Sequence, residues 1–594
     1  MKEISKTYDF DFNHPKGKLW SVVSDTPRWG EAAGFPKYQV TEQLQPDGTV
    51  KVIGEGNIAV IDLSWEEPPA NWIAELWFEQ ERLFHNGPFV SMATRAEIAD
   101  KGTRSGLSIE ISFKPRNLVG FVLARLLVRP FGEKVRQLLD VADQLISAES
   151  KDLFETQFKL SAPARERAEK IGHAIEQTDY GHGLTDRLIE YIVGNQEVDL
   201  WSMRPLALAR RWQVEPRLAI ELFLQSVRAG LLESRWDVLC PRCRTSKAKT
   251  TNISELPEKV HCDACNIDYE ANFASNVELS FSPSSWLRPV EYGYYCRSGP
   301  GFTPHIKGQC TLDAGESRIL PASLHPGEYR IRTLEFGDEL DFVHDSGKIP
   351  EIKIVENQLS LGEDSPEGHI VLQNNGPYQR SFVIEERSWL AEVLTAERVT
   401  TIQAFRDLFS DQVLRAGDEI TIRNISFVFT DLVESARLFA TLGDALAYRL
   451  VREHYAILGE IVRKHNGAIV KTVGDGIHAA FLAPDTALLA SIDMQRSIGR
   501  FKNEISSDPI SIRIGINSGS SISVNLNDRL DYYGKTVNLA ARLEGQGKAG
   551  DITMSREFAE DPAVENILRD YNPHESEVLL KGYREPLALI QITP

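Results

Sequence analysis

Four cysteines constrain the middle of this chain. Cys240 and Cys243 lie in CPRC and Cys262 and Cys265 in CDAC, with 18 residues between the pairs. Each CxxC puts two thiolates on one tight turn, and two such turns supply the four soft ligands that Zn²⁺ selects at tetrahedral geometry. A zinc ribbon over residues 236–275 is therefore expected. Protein sulfur fills every position and leaves none for water, so the expected Zn²⁺ is structural rather than catalytic. The other two cysteines, Cys296 and Cys310, match no motif and read as buried small hydrophobes. Six cysteines in 594 residues are too few for a disulfide framework. Their pairing as metal ligands predicts a reducing, cytoplasmic setting.

With 42% hydrophobic and 25% charged residues the chain reads as globular, and its length predicts about three to five domains. Its net charge of −19 repels nucleic acid and anionic membrane unless a local basic patch overrides it. No run reaches the roughly 18 apolar residues of a membrane helix. The nearest, Leu118 to Phe131, is interrupted by Arg125, Arg129 and Pro130. Met1 to Phe10 lacks the apolar stretch of a signal peptide.

A multidomain α+β chain is expected. Residues 1–150 read as a strand (Ile4 to Phe12) and a helix begun at Pro15, then strands over Val50–Ile61, Trp72–Glu81, Ser91–Ile98 and Leu107–Phe113. A long closing helix, Val119 to Ile146, ends the segment. That order resembles the START-like helix-grip fold. It implies either a sensor pocket for a small apolar ligand or a filled core that scaffolds its neighbours. Residues 151–235 read as helical, with a winged-helix look over Leu206–Trp236. Arg210, Arg211 and Arg217 there could touch phosphate or simply pack, and the acidic balance argues against nucleic acid. Short apolar runs between turn signals over 276–390 predict a small β-sandwich or barrel. Ala391 to Leu414, within a connector at 391–420, reads as one amphipathic helix carrying Val399, Ile402, Phe405, Leu408 and Phe409.

The chemistry is concentrated in residues 421–594. A buried strand, Ile425 to Phe429, delivers Thr430-Asp431, and the next helix puts Leu446, Leu450, Ile457 and Ile461 on its apolar side. Two runs, Ala468–Val473 and Ile477–Leu482, flank Gly474-Asp475-Gly476, a hairpin turn displaying one carboxylate. Two aspartates brought together repel unless a hard cation lies between them, and Mg²⁺ takes one or two carboxylates plus substrate phosphates. Beyond Asp531-Tyr532-Tyr533-Gly534, Asn538 and Arg542 stand four apart on one helix face. An Arg spreads phosphate charge, and an Asn orients a hydroxyl.

In order and spacing the segment resembles the class III nucleotide cyclases. The motifs are FTDL at Phe429–Leu432, KTVGDG at Lys471–Gly476, RIGINSG at Arg513–Gly519, DYYGKTVNLAARLE at Asp531–Glu544 and LKGY at Leu580–Tyr583. The resemblance implies an α/β catalytic domain with a ferredoxin-like βαββαβ core. It also implies that Asp431, Asp475 and the Leu432 carbonyl hold two Mg²⁺ or Mn²⁺ ions, that Asn538 positions the ribose, that Arg542 meets the α-phosphate and that Lys581 meets the outer phosphates. Adenine offers an acceptor at N1 and a donor at its amino group, which Lys471 and Asp531 complement; guanylate members typically carry Glu and Cys there. An adenylate cyclase converting ATP to 3′,5′-cyclic AMP and pyrophosphate is thus expected. Its metal aspartates and base-reading residues face each other across a homodimer, under regulation by the N-terminal domains. Two positions depart from the pattern. Glu434 stands in a loop where small residues receive phosphates, and Asn517 stands where His is common. Glu434 also leaves open a weakened domain that binds nucleotide or dimerises beneath a ligand sensor.

Overall fold

The computed structural model describes residues 2–594 except 33–35, 46–49, 59–60, 148–157, 264, 266, 274, 292, 298, 323, 336, 346–347, 356–357, 388–391, 411, 413, 415–419, 501–509 and 527–528. The expected boundary at 150–151 lies outside the described residues.

At the N-terminus the strand Ile4–Phe12 is followed by helices Lys16–Val23 and Thr26–Ala32, antiparallel strands between Gln39 and Pro115, and the helix Leu118–Ser147. Ala124, Val128, Val135, Leu139 and Ala142 recur at helical spacing and pack with Leu107, Ile109 and Ile111 in one core. The Val50–Ile61 run is two strands, Val50–Ile58 and Ile61–Glu66, paired as a hairpin. Trp72–Glu81 also divides, at a turn where Glu75 takes φ 63°. The larger described cavity, about 730 Å³, does not lie beneath the closing helix. It opens where Trp20 and Arg28 face Tyr191, Trp201, Tyr294 and Phe302.

Helices from Ala162 to Arg228 lead into the strand Leu232–Leu239, which pairs with Ser246–Thr250 and Val277–Pro283. The strand pair Lys259–Cys262 and Ile267–Glu270 completes the cysteine region. Three arginines of the winged-helix-like stretch, those expected to touch phosphate or pack, are engaged within the chain: Arg210 pairs with Glu392 at 2.5 Å, Arg211 lies over Tyr191, and Arg217 donates to the Arg463 carbonyl at 2.9 Å.

Residues 276–390 are not a freestanding domain. Ile306–Leu312 pairs with Asn71–Ile73, so the N-terminal sheet continues through Ile306–Leu312, Arg380–Glu386, Gly327–Thr333 and Glu339–His344. A second sheet, Ser317–Pro321, His369–Asn374, Pro350–Val355 and Gln358–Asp364, packs over it around Ile331, Ile352, Ile370 and Phe382.

Among the described residues, the single connector helix expected over 391–414 is two short ones, Ala396–Thr400 and Gln403–Leu408. The hydroxyls of Thr400 and Thr401 turn back onto the Glu397 and Arg398 carbonyls, and Ile402 is extended, which breaks the helix. Val399, Ile402 and Phe405 still bury their side chains, in a core shared with Trp236 and Leu530.

The C-terminal unit runs strand Ile420–Leu432, helices Ser435–Leu442 and Asp444–Lys464, strands Ala468–Val473 and Gly476–Phe481, helix Pro484–Arg500 and strand Ile512–Asn525. Gly476–Phe481 and Ile512–Asn525 flank Ile420–Leu432 antiparallel. Gly476–Phe481 is buried throughout, the run expected of a strand covered on both faces. In the helix Asp444–Lys464, Leu450 and Ile461 are buried as expected, with Ala447, Val451, His454, Leu458 and Val462 beside them, while Ile457 is half-buried and Leu446 proves exposed. No helix among the described residues is long and apolar enough to cross a membrane.

Candidate active site

Asp431 is the penultimate residue of the strand Ile420–Leu432 and lies in register with Arg513 of the neighbouring strand. Asp475 occupies the tip of the hairpin, where Gly474 takes φ 62°. Gly476 is held against the Asp431 strand: a Cβ there would fall 1.6 Å from the Thr430 carbonyl oxygen. Only glycine lets the hairpin approach so closely. The Ile477 N–H donates to Thr430 Oγ1 at 3.0 Å and the Tyr455 hydroxyl to the Gly474 carbonyl at 2.8 Å, fastening the tip.

The two carboxyls therefore adjoin. Burial first, and then contact with the Asp475 carboxyl, raise the Asp431 pKa, while Arg513 opposes the rise. Arg513 Nε lies 3.1 Å from Asp431 Oδ2 and 2.5 Å from Glu544 Oε1. The two half-buried carboxylates make a hard-oxygen donor pair that fits Mg²⁺ or Mn²⁺. Arg513 and Glu544 were not singled out from sequence, although both lie in the quoted motifs; the strand register across from Asp431 was the missing signal.

A second group forms on the strands Ala468–Val473 and Leu530–Tyr533. Lys471 Nζ is 2.5 Å from Asp531 Oδ2, with Asp531 buried and Lys471 open to solvent. The helix Lys535–Glu544 carries Asn538, exposed, and Arg542, whose guanidinium lies 5.6 Å from the Tyr583 ring centroid. The Lys581 loop thus closes on Arg542, with Lys581 exposed. Among the described residues no hydrogen bond or ion pair joins Asp431 or Asp475 to Lys471, Asp531, Asn538 or Arg542.

Residues 419–585 match the adenylate and guanylate cyclase catalytic domain family. The C-terminal unit is a class III cyclase domain. Residues 174–293 match a family of unknown function (DUF5939). An adenylate cyclase of Lachancea kluyveri is 30% identical over 179 residues, covering 26% of this chain and 10% of that enzyme. One from Anabaena cylindrica is 30% identical over 191 residues, covering 29% of this chain and 37% of its own. A receptor-type guanylate cyclase of Caenorhabditis elegans is 27% identical over 217 residues, covering 34% and 18%. This chain thus spans a minor part of each relative's length. A solved adenylyl cyclase structure from P. aeruginosa aligns at 23% identity, covering 30% of this chain and 96% of that one, with a TM-score of 0.27.

Within the cyclase domain, Glu434 takes φ 58° at the start of the helix Ser435–Leu442, its exposed carboxylate 3.3 Å from Arg437. Asn517 is buried, accepting from the Ser555 hydroxyl at 2.7 Å and donating to the Thr536 carbonyl. It serves the packing of its strand.

The four cysteine ligand atoms all lie within 4.8 Å of one another. Hydrogen bonding from Cys240, then Cys262 and Cys265, holds the Cys243 thiol well below its ordinary pKa. The Arg242 N–H points at Cys240 Sγ, 3.4 Å away. Four converging sulfurs, three of them buried, fit Zn²⁺. Cys296 and Cys310 are buried and apart from this cluster.

Proposed function

We propose that the chain is an adenylate cyclase, acting as a homodimer through its cyclase domain. The observation that carries this reading is the Lys471–Asp531 pair, a fixed donor beside a fixed acceptor. Lys471 donates to adenine N1 and Asp531 accepts from the 6-amino group; guanine reverses both, so a mismatched base leaves the buried Asp531 carboxylate facing an acceptor. Asn538 holds the ribose so that its 3′-oxygen lies in line with the α-phosphorus. The 3′-oxygen bonds to that phosphorus as the bond to the pyrophosphate oxygen breaks. Arg542 stabilises charge on the α-phosphate, and Lys581 the outer phosphates.

Asp431, Asp475 and the Leu432 carbonyl of one protomer would hold two Mg²⁺ or Mn²⁺ ions facing the base-reading group of its partner. Bound there, such ions would favour loss of the 3′-hydroxyl proton and would neutralise the triphosphate. Arg513 opposes the rise in the Asp431 pKa and holds the carboxyl in place.

Zn²⁺ at Cys240, Cys243, Cys262 and Cys265 is the proposed structural metal. The START-like N-terminal unit is the proposed sensor, and the 730 Å³ junction cavity, lined by Trp20, Arg28, Tyr191 and Trp201 among others, is the proposed seat for a small ligand. A second reading, a cyclase-fold module that binds nucleotide with weak turnover, is favoured by the exposed Glu434 carboxylate at the phosphate loop.

The test is cyclic nucleotide production by the full chain from ATP or GTP, in Mg²⁺ and Mn²⁺, beside Asp431→Ala. Cyclic AMP that disappears in the variant supports the enzyme. ATP binding without product supports the second reading.

A further inference from the structure

The helix Leu118–Ser147 is covered on one side only. Leu118 is 76% exposed, Val119 63%, Val122 55% and Leu126 63%, all in its first turns. On the opposite side Ala124 and Val128 are buried against the sheet. The helix is therefore apolar on both faces between Leu118 and Leu126, and the outer face has no protein cover among the described residues. From Glu133 onward that face turns polar, so the bare strip is confined to one end.

The surrounding charge is opposite to that of the molecule. Between residues 114 and 136, Lys114, Arg116, Arg125, Arg129, Lys134 and Arg136 stand against the single acid Glu133, a net +5 in a chain of −19. Arg125 packs its guanidinium over the Phe121 ring at 4.6 Å, along the edge of the strip. An apolar strip edged by arginines is the pattern of a helix lying in the plane of a membrane interface, with apolar side chains in the acyl boundary and cations at the headgroups. The arginines and Pro130 that prevent this segment from spanning a bilayer suit it to lie on one. Seating a second copy on the strip by the same face would bring two rows of arginines together, which repel.

We propose that the Leu118–Leu126 face of this helix docks the protein on an anionic lipid surface, its arginines meeting phosphate or carboxylate headgroups. This goes beyond the cyclase reading and does not depend on it. Docking sets the N-terminal unit against the bilayer and leaves the cyclase domain at the other end of the chain.

The test is sedimentation of the full chain with vesicles of phosphatidylcholine alone and of phosphatidylcholine mixed with phosphatidylserine. The chain binds the mixed vesicles, remains in solution with phosphatidylcholine alone, and is released as salt rises. Val122→Glu with Leu126→Glu, and separately Arg125→Glu with Arg129→Glu, each lower binding about tenfold. All four side chains are exposed, so both variants keep the wild-type unfolding temperature. A chain that ignores phosphatidylserine, or a Val122→Glu/Leu126→Glu variant that binds as well as wild type, overturns the proposal. So does light scattering of the lipid-free protein in which that variant splits a dimer, because a second copy then covers the strip.

Discussion

Gln403 Oε1 accepts a 2.7 Å hydrogen bond from the backbone N–H of Ile469, two residues ahead of Lys471. The other end of the same amide donates to Asp407, which also accepts from the Tyr180 hydroxyl at 2.8 Å. Arg406, on the same connector helix, donates to the Leu530 carbonyl at 2.9 Å, one residue ahead of Asp531, and lies over the Tyr532 ring. The connector thus grips both strands that carry the proposed base-reading pair. A continuous set of hydrogen bonds reaches it from the segment matching the family of unknown function.

If that grip sets the spacing of Lys471 and Asp531, Gln403→Ala and Arg406→Ala should raise KM for ATP about tenfold and erode preference over GTP, since a backbone donor or acceptor left without its partner costs about 1–3 kcal/mol. The expected change in kcat is small, and Arg406→Lys should restore part of the loss. Steady-state kinetics with both nucleotides check this; a fall in kcat at constant KM and selectivity would refute it.

Glu434 holds a left-handed backbone that costs a non-glycine residue about 1 kcal/mol, and in the proposed function its carboxylate stands where the triphosphate approaches. Glu434→Gly should raise kcat/KM severalfold and unfolding temperature by a few degrees. Unchanged turnover in Glu434→Gly would show that the carboxylate points away from the phosphates.

His478 is fully buried and stacked on Phe429 at 4.3 Å. Burial, helped by Lys471 and Arg406, lowers its pKa from 6.5 to about 3. Between those values the unfolded chain binds the extra proton. Stability is therefore complete above pH 6.5 and falls as pH drops toward 3, by up to about 5 kcal/mol at 1.36 kcal/mol per unit. His478→Phe should flatten that part of the curve. Denaturant unfolding of both proteins between pH 7 and 4 measures it, and parallel curves would count against the assignment.

Cys240→Ser with Cys262→Ser should remove one zinc per chain by elemental analysis and lower the unfolding temperature by roughly 5 °C or more. Arg242, between the two cysteines of the first pair, donates to the Thr333 carbonyl at 3.1 Å, so the loss should spread into the β region. Wild-type protein purified without zinc would remove the metal from the account.

Much was legible in sequence because it is local. The CxxC pairs, the Gly474-Asp475-Gly476 turn and the four-residue spacing of Asn538 and Arg542 follow from turn and helix geometry within a few residues, and the structure places each in that form. Helical spacing also identified the buried connector residues Val399, Ile402 and Phe405, but not the break after Thr400. That break depends on hydroxyls competing for backbone carbonyls, which periodicity does not register.

What only the tertiary structure decided are pairings between distant segments. Nothing near Asp431 in the chain announces Arg513, 82 residues away, because strand register sets that contact. Ile306–Leu312 joins the N-terminal sheet because its backbone hydrogen-bonding groups meet those of Asn71–Ile73, a match that carries no side-chain signature. The run from Leu118 to Phe131 announced its apolar character and its arginines in sequence. Only packing against the sheet revealed which side was left bare, because one helix can bury only the face its neighbours cover.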